Sequence, residues 1–264
     1  MSNRDPSLFI RLLSYLKIFV ISLYTVPMAT ITIVVQLITR NARLFDWIAR
    51  TWSRITLFIA GVGVRIRGKE NIVPGRPYIY VSNHASLFDI PALLAGIPDA
   101  LHFVYKKELQ RVLFFGWGLK AGSYIPIVRE KGREALRSLE EAIRRIRTGT
   151  SVILFPEGTR SPDGRIQSFK RGAFSLAART GVPIIPVTIN GSERILPKKQ
   201  LFIRPGVIEL VIDAPIPTIG INSREKETEL MEQVRRIILK NHHLSRSAKP
   251  VSDKAEDHHG CYDQ

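Results

Sequence analysis

The sequence predicts an α/β protein: a mainly parallel sheet flanked by helices, preceded by an N-terminal membrane-associated helical segment. Between Arg65 and about Asp213, short apolar and β-branched runs alternate with stretches of helical periodicity, the pattern of a layered α/β domain. Ahead of that region, Ile18 to Thr39 carries no charge and is rich in Ile, Val, Leu and Phe. The length of 264 residues accommodates one such domain with accessories and a sizeable core. Three parts are expected: a membrane-anchoring helical segment over 1–64, the α/β domain over 65–244, and a disordered polar tail over 245–264.

The elements follow in order. Residues 1–17 are polar and net basic, with Arg4, Arg11 and Lys17 against Asp5. As a helix, Ile18 to Thr39 would measure about 33 Å, enough to cross a hydrocarbon core, and Pro27 predicts a kink near its middle. The run is too long for a secretory signal, and no small-residue cleavage site follows it. From Arg40 to Arg54, arginines at 40, 43, 50 and 54 alternate with Leu44, Phe45, Trp47, Ile48 and Trp52, a mixture suited to a lipid–water interface. A second uncharged run, Ile55 to Val64, is too short to span. Either one full span or a kinked hairpin in one leaflet is possible; cations on both sides of the first run favour the hairpin, and a buried core helix is the alternative to both. In either membrane topology the basic bulk after residue 65 faces the cytosol, at the inner membrane if the cell is bacterial.

Strands are expected at Tyr78–Ser82, Leu101–Tyr105, Tyr124–Val128, Ser151–Phe155, Pro183–Ile189 and Val207–Ile212. The clearest helix is Glu134–Arg147, where Ala135, Leu136, Leu139, Ala142, Ile143 and Ile146 fall at i, i+3, i+4 and i+7 spacing. A last helix runs from about Arg224 to Lys240, with Leu230, Val234, Ile237 and Ile238 as its apolar stripe. The tail lacks periodicity.

The formal charge is +16 and the pI about 10.3, a balance that implies an anionic partner: nucleic acid, acidic lipid or a phosphorylated substrate. No helix-turn-helix, RNP or zinc-finger pattern is present, which argues against nucleic acid. The single cysteine, Cys261, excludes internal disulfides, suggests a reducing compartment, and speaks against a catalytic thiol or a cysteine metal site.

The candidate chemistry gathers at strand ends. Asn83-His84-Ala85-Ser86-Leu87-Phe88-Asp89 joins the strand ending at Ser82 to the helical run Ile90–Leu94. A carboxylate can hold one nitrogen of an imidazole while the other accepts a proton. Five residues of unbroken helix rotate by about 500°, so His84 must sit in the turn with Asp89 reaching back from the first helical turn. Ser86-x-x-Asp89 also matches a capping signature, so on this stretch alone Asp89 is equally a helix cap. At the end of another strand, Phe155-Pro156-Glu157-Gly158-Thr159-Arg160-Ser161 offers a glycine for close approach and an arginine fork suited to phosphate. Glu157 and Arg160 could instead simply pair across a turn. Phe169-Lys170-Arg171-Gly172-Ala173 places two cations at a helix start, where they are unfavourable unless they meet an anion. Lys106-Lys107-Glu108-Leu109 and Gly122 to Arg129 end two further strands with cations. One candidate base surrounded by cations suits a phosphorylated substrate.

Other patterns carry less. Gly116-x-Gly118-x-x-Ala121 follows a helical pattern rather than a strand, and no Gly-x-Ser-x-Gly elbow exists. His242–His243 and His258–His259 lack metal-ligand context.

With these residues placed, the chain resembles the 1-acylglycerol-3-phosphate acyltransferase family. The resemblance rests on Asn83-His84 with Asp89, Gly122 through Arg129, Phe155 through Ser161, and Val182-Pro183-Ile184-Ile185-Pro186-Val187, in that order. It covers about Val64 to Ile212. It implies transfer of a fatty acyl group from an acyl carrier protein or coenzyme A thioester to the sn-2 hydroxyl of lysophosphatidate at a membrane surface, giving phosphatidic acid. Glycerol-3-phosphate, a lyso-ornithine lipid or another lysophospholipid is the alternative acceptor, and a non-catalytic anionic-lipid-binding protein the alternative class. By the resemblance, His84 is the general base and Asp89 orients it. Glu157, Gly158, Thr159 and Arg160 bind the glycerol-phosphate part with help from Arg129, while Lys106, Lys170 and Arg171 complete the anion site. No cofactor and no metal is expected, because a thioester is already activated. Two departures bear on the acceptor: Val128 stands where relatives often carry an aspartate, and Arg111-Val112-Leu113 lacks a proline common in that region.

Overall fold

The computed structural model describes residues 8–39, 41–111, 115–122, 124–128 and 132–247. Its centre is a seven-stranded sheet ordered β1-β7-β6-β2-β5-β3-β4. The strands are β1 (Val62–Arg67), β2 (Ile79–Ser82), β3 (Leu101–Lys106), β4 (Ile125–Ile127), β5 (Ser151–Leu154), β6 (Ile184–Asn190) and β7 (Gly206–Ile212). β6 and β7 run antiparallel; the other strand pairings are parallel. The expected α/β class and mainly parallel sheet are what the structure has. Strands β2 to β6 therefore all present their carboxyl ends at one edge.

Strand β1 was not expected, and it crosses the anticipated boundary between residues 64 and 65. Its exposure alternates, with Arg65 and Arg67 outward, as an edge strand requires. Those charges broke the apolar run by which the inner strands are recognised. Arg67 pairs with Glu209 of β7 at 3.0 Å.

Two helices precede the sheet. α1 spans Leu8–Thr39 with Pro27 inside it, and α2 spans Ala42–Ala60. α1 thus begins well before the uncharged run. α2 fuses the arginine-aromatic segment to part of the second apolar run. Asn41 caps α2 by accepting from the amides of Arg43 and Leu44, and Gly61 ends it in the left-handed region at φ 72°. α2 packs on α3 (Asp89–Gly96) and on the sheet, burying Phe45, Ile48 and Leu57. α1 lies outside α2 and leaves Leu12, Leu16, Phe19, Leu23, Leu37 and Ile38 exposed. Only 6% of its most apolar window is buried, so it is no core helix.

α2 is also pinned by polar contacts. Arg50 donates to the carbonyls of Ile97 (2.7 Å) and Asp99 (2.9 Å), and Asp46 lies 3.6 Å from His102. Burial pushes Asp46 up to about 6 and pushes His102 down, so at neutral pH a carboxylate faces a neutral imidazole and the contact is not an ion pair.

The two faces of the sheet carry separate apolar layers. Tyr78 and Tyr80 point into the layer under α2 and α3; Ile79 and Val81 point into the other. The second layer is closed by α5 (Arg133–Arg147), α6 (Gly172–Thr180) and α8 (Arg224–Ser247). On α5, Ala142, Ile143 and Ile146 are buried, the inward part of the predicted stripe. Two short helices, α4 (Phe115–Ala121) and α7 (Ser192–Ile195), complete the chain. α8 runs past the expected start of the tail at residue 245; residues 248–264 of that tail lie outside the described residues.

Candidate active site

The turn after β2 is built by side chains acting as backbone. Asn83 accepts from the amide of Ile189 at 2.8 Å and donates to its carbonyl at 2.9 Å, extending the β2–β6 ladder by one pair. His84 follows. Its amide donates to Glu157 Oε1 at 2.8 Å and its carbonyl accepts from the Ser161 amide at 2.7 Å. Its ring stacks on Phe155, centroids 4.1 Å apart and planes 18° from parallel. Both the main chain and the ring of His84 are thereby fixed by the segment after β5.

Asp89 opens α3 and is fully buried. Its Oδ2 lies 2.7 Å from His84 Nδ1 and accepts from the amides of Ala85 (2.8 Å) and Ser86 (2.9 Å). A carboxylate only accepts, so Nδ1 carries the ring proton and Nε2 presents a lone pair. One oxygen thus braces the turn before α3 and orients His84. The other half of the capping signature is not made: Ser86 Oγ accepts from the Phe88 amide at 3.2 Å, not from that of Asp89, and donates to the Leu196 carbonyl at 3.0 Å.

Glu157 sits at the end of β5, 3% exposed. Both of its oxygens are engaged by main-chain donors, the His84 amide and the Gln167 amide (3.1 Å), and burial raises its pKa against those bonds. It does not pair with Arg160. Gly158 holds φ 74°, and a side chain there would meet the Lys170 ammonium at 3.0 Å. Thr159 is exposed and Arg160 half-buried. Among the described residues neither Arg160, Lys170 nor Lys198 faces a carboxylate.

The structure separates the other expected cations. Arg171, at the start of α6, turns to Glu227 of α8 at 3.5 Å. Lys106 is half-exposed and lies 3.4 Å from Glu108. Arg129 lies outside the described residues.

Sequence reading missed two parts of the site. Lys198 donates to Thr159 Oγ1 (3.1 Å) and to the Arg160 carbonyl (2.7 Å). It follows α7 in a segment without periodicity, so only the fold brings it here. The second is an apolar cavity of about 160 Å³ between α1 and α2 on one side and β3, α3 and α4 on the other. It is lined by Met28, Phe45, Trp52, Ile90, Leu94, Phe103 and Tyr124, among others. Ile90 and Leu94 stand on α3, the helix that Asp89 begins.

A stacked histidine oriented by a buried carboxylate, cations at the adjoining turn and an apolar cavity beside α3 make up the candidate site. A family model described as Acyltransferase matches residues 63–190, from β1 to the end of β6. The 1-acyl-sn-glycerol-3-phosphate acyltransferase of Pseudomonas aeruginosa is 35% identical over 185 residues, covering 68% of this chain and 71% of that protein. The chloroplastic enzyme BAT2 of Brassica napus is 35% identical over 185 residues, 69% of this chain and 53% of its own. This chain spans about half the length of that relative and of those from Arabidopsis thaliana (48%) and Chlamydomonas reinhardtii (47%). The crystal structure of the 1-acyl-sn-glycerophosphate acyltransferase PlsC from Thermotoga maritima superposes with a TM-score of 0.77 at 28% identity, covering 90% of this chain and 96% of that one. The chain belongs to the 1-acyl-sn-glycerol-3-phosphate acyltransferase family.

Proposed function

We propose that this protein transfers a fatty acyl group from a thioester of acyl carrier protein or coenzyme A to the sn-2 hydroxyl of lysophosphatidate, forming phosphatidic acid. The observation that carries the reading is the 2.7 Å contact between His84 Nδ1 and the buried Asp89, with the ring stacked on Phe155. The acceptor hydroxyl gives its proton to Nε2 as its oxygen attacks the thioester carbonyl carbon. Asp89 stabilises the imidazolium that results. Collapse of the tetrahedral adduct breaks the carbon–sulfur bond, and the departing thiolate takes the proton back from His84. The proton account closes without a metal, a cofactor or a covalent enzyme intermediate. The base contributes about 10²- to 10⁴-fold by accepting its proton in the transition state.

Arg160 and Lys170 are assigned to the acceptor phosphate, because they stand at the turn beside His84 without a carboxylate of their own. Arg129 is proposed to join them. Lys106 and Arg171, each beside a carboxylate of its own, are given no direct contact with the acceptor. Glu157 is assigned to holding His84 rather than to contacting the acceptor. The apolar cavity next to α3 is assigned to an acyl chain. The exposed apolar face of α1 is assigned to docking in one leaflet, with the basic domain on the cytoplasmic side.

The test is acyl transfer by purified protein across donor and acceptor panels, with wild type beside His84→Ala. Transfer to lysophosphatidate that falls at least about 100-fold in the variant supports the reading. Undiminished transfer removes His84 as base, and preference for an acceptor without phosphate removes the acceptor assignment.

A further inference from the structure

We infer that Lys198 is an acceptor-binding residue that takes the phosphate monoester and so selects phosphorylated acceptors. This rests on the acyl-transfer reading above. The chain leaves β6, makes the one-turn α7 and enters Leu196-Pro197-Lys198. The start of that segment is fixed by two bonds. The Leu196 carbonyl accepts from Ser86 Oγ, inside the turn that carries His84, and the Ile195 carbonyl accepts from the Arg204 amide at 2.9 Å. Beyond it the Gln200 amide bonds back to the Pro197 carbonyl at 3.1 Å, and Lys199 takes φ 67°. A non-glycine residue in the left-handed region is strained, and here it belongs to the tight turn that delivers the Lys198 side chain.

An ammonium has three hydrogens to donate. Lys198 gives one to Thr159 Oγ1 and one to the Arg160 carbonyl, and among the described residues no carboxylate neutralises it. The peptide that joins Arg160 to Ser161 then acts as a bridge: its carbonyl accepts from Lys198, and its N–H donates to the His84 carbonyl at 2.7 Å. Two hydrogen bonds separate the ammonium from the backbone of the base. Such a position suits the phosphate of an acceptor whose hydroxyl sits at His84 Nε2, since that phosphate is only a glycerol away from the reacting oxygen.

The same loop reaches the lipid side. Phe202 lies under the Arg11 guanidinium of α1 at 5.6 Å, and Ser14 Oγ of α1 donates to the Ile203 carbonyl at 3.4 Å. Leu201, just before them, is exposed. The loop that carries Lys198 therefore touches α1 at one end and the turn of the base at the other.

The experiment uses the full chain in mixed micelles, with Lys198→Met, the longer-reaching cation Lys198→Arg, and Lys198→Gln as a second neutral variant should Met fail to fold. Losing a hydrogen bond to a charged group corresponds to about a 10- to 100-fold loss of binding. The Met variant is expected to raise the KM for 1-acylglycerol-3-phosphate by about that factor, with kcat and the donor KM little changed and partial recovery in the Arg variant. A fall in kcat at unchanged acceptor KM would mean that Lys198 only braces the turn, and would overturn the inference. Thermal shift with glycerol-3-phosphate reads the site without turnover: it should raise the wild-type Tm and leave the Met variant unmoved, and equal shifts refute the assignment. If wild type binds glycerol-3-phosphate through Lys198 yet acylates no phosphorylated acceptor, the functional reading fails while the site stands.

Discussion

Replacing Glu157 with Gln tests whether the acid of the third motif holds the base or the substrate. The two side chains have nearly the same shape, but the carboxylate offers acceptors on both oxygens. In the native protein one takes the His84 amide at 2.8 Å and the other the Gln167 amide at 3.1 Å. Glutamine can satisfy one of these; its amide nitrogen then faces the other N–H, donor against donor. A buried donor left unpaired costs about 1–3 kcal/mol, and the site is 3% exposed, so solvent offers little relief. If the glutamine keeps Gln167, the whole cost falls on the backbone of His84. A displacement of about 1 Å at a reacting group can lower a rate about 100-fold. Steady-state kinetics should therefore show kcat reduced by about 10- to 100-fold with the acceptor KM within a few-fold of wild type, together with a lower Tm. An unchanged kcat with a raised acceptor KM would refute the argument and make Glu157 a direct ligand of the acceptor.

Asp89→Asn should preserve the fold, because an amide oxygen can still accept from Ala85 and Ser86, yet lower kcat by about 10²- to 10⁴-fold through loss of the charge beside the imidazolium; full activity in the pH-rate profile would contradict this. Gly158→Ala should cost about 1 kcal/mol in denaturant unfolding, since φ 74° is strained for alanine and the Lys170 ammonium must move from 3.0 Å; no change in midpoint would count against it. Asp46, raised from 3.8 to about 6 by burial first and by Asp99 in part, binds its proton more tightly folded than unfolded, so its contribution falls as pH rises through that window and is level above. Asp46→Asn should therefore show a smaller loss of Tm between those pH values and a higher Tm at pH 7, and parallel curves would sink the idea. In sealed vesicles, Ser2→Cys in a Cys261→Ser background should react with an impermeant maleimide from the same side as wild-type Cys261; protection until lysis would mean that α1 spans.

Much of the site was legible because its chemistry follows strand ends. Alternating strands and helices imply a parallel sheet, and a parallel sheet puts His84, Lys106, Val128 and Pro156 at one edge whatever the strand order. The turn geometry of His84 and Asp89 was also legible, since helical rotation alone forbids the pair within a helix. Partner choice was not. Glu157 and His84 are 73 residues apart, and a carboxylate that binds backbone amides has the same sequence signature as one that binds a ligand. Arg171 looked like Lys170 until α8 brought Glu227 to it. Lys198 had no signal at all, because its place depends on the Ser86–Leu196 bond and on a left-handed residue that nothing in the local sequence demands. Edge strand β1 was hidden by the charges that suit an edge.

The packing of α1 also bears on how the protein meets a membrane. Along one face, Ser14 contacts Ile203, Lys17 donates to the Ala60 carbonyl at 2.8 Å, Thr25 accepts from the Trp52 indole at 3.0 Å, and Ala29 lies beside Gly118. From residue 14 to residue 29 a helix advances about 22 Å, most of a hydrocarbon core. A transbilayer α1 would draw the sheet-packed α2 and the loop at Ile203 into lipid with it, along with the half-buried Arg50 and Asp46 of α2, whose polar groups are committed to the domain. One face of α1 is therefore protein-bound over nearly the length that a span would need to surround with lipid. Burial in a single leaflet satisfies the exposed Leu12, Leu16, Phe19 and Leu23 without that cost. The apolar cavity lies between α1 and α3, so in the one-leaflet arrangement proposed above an acyl chain would enter beside the helix that Asp89 begins.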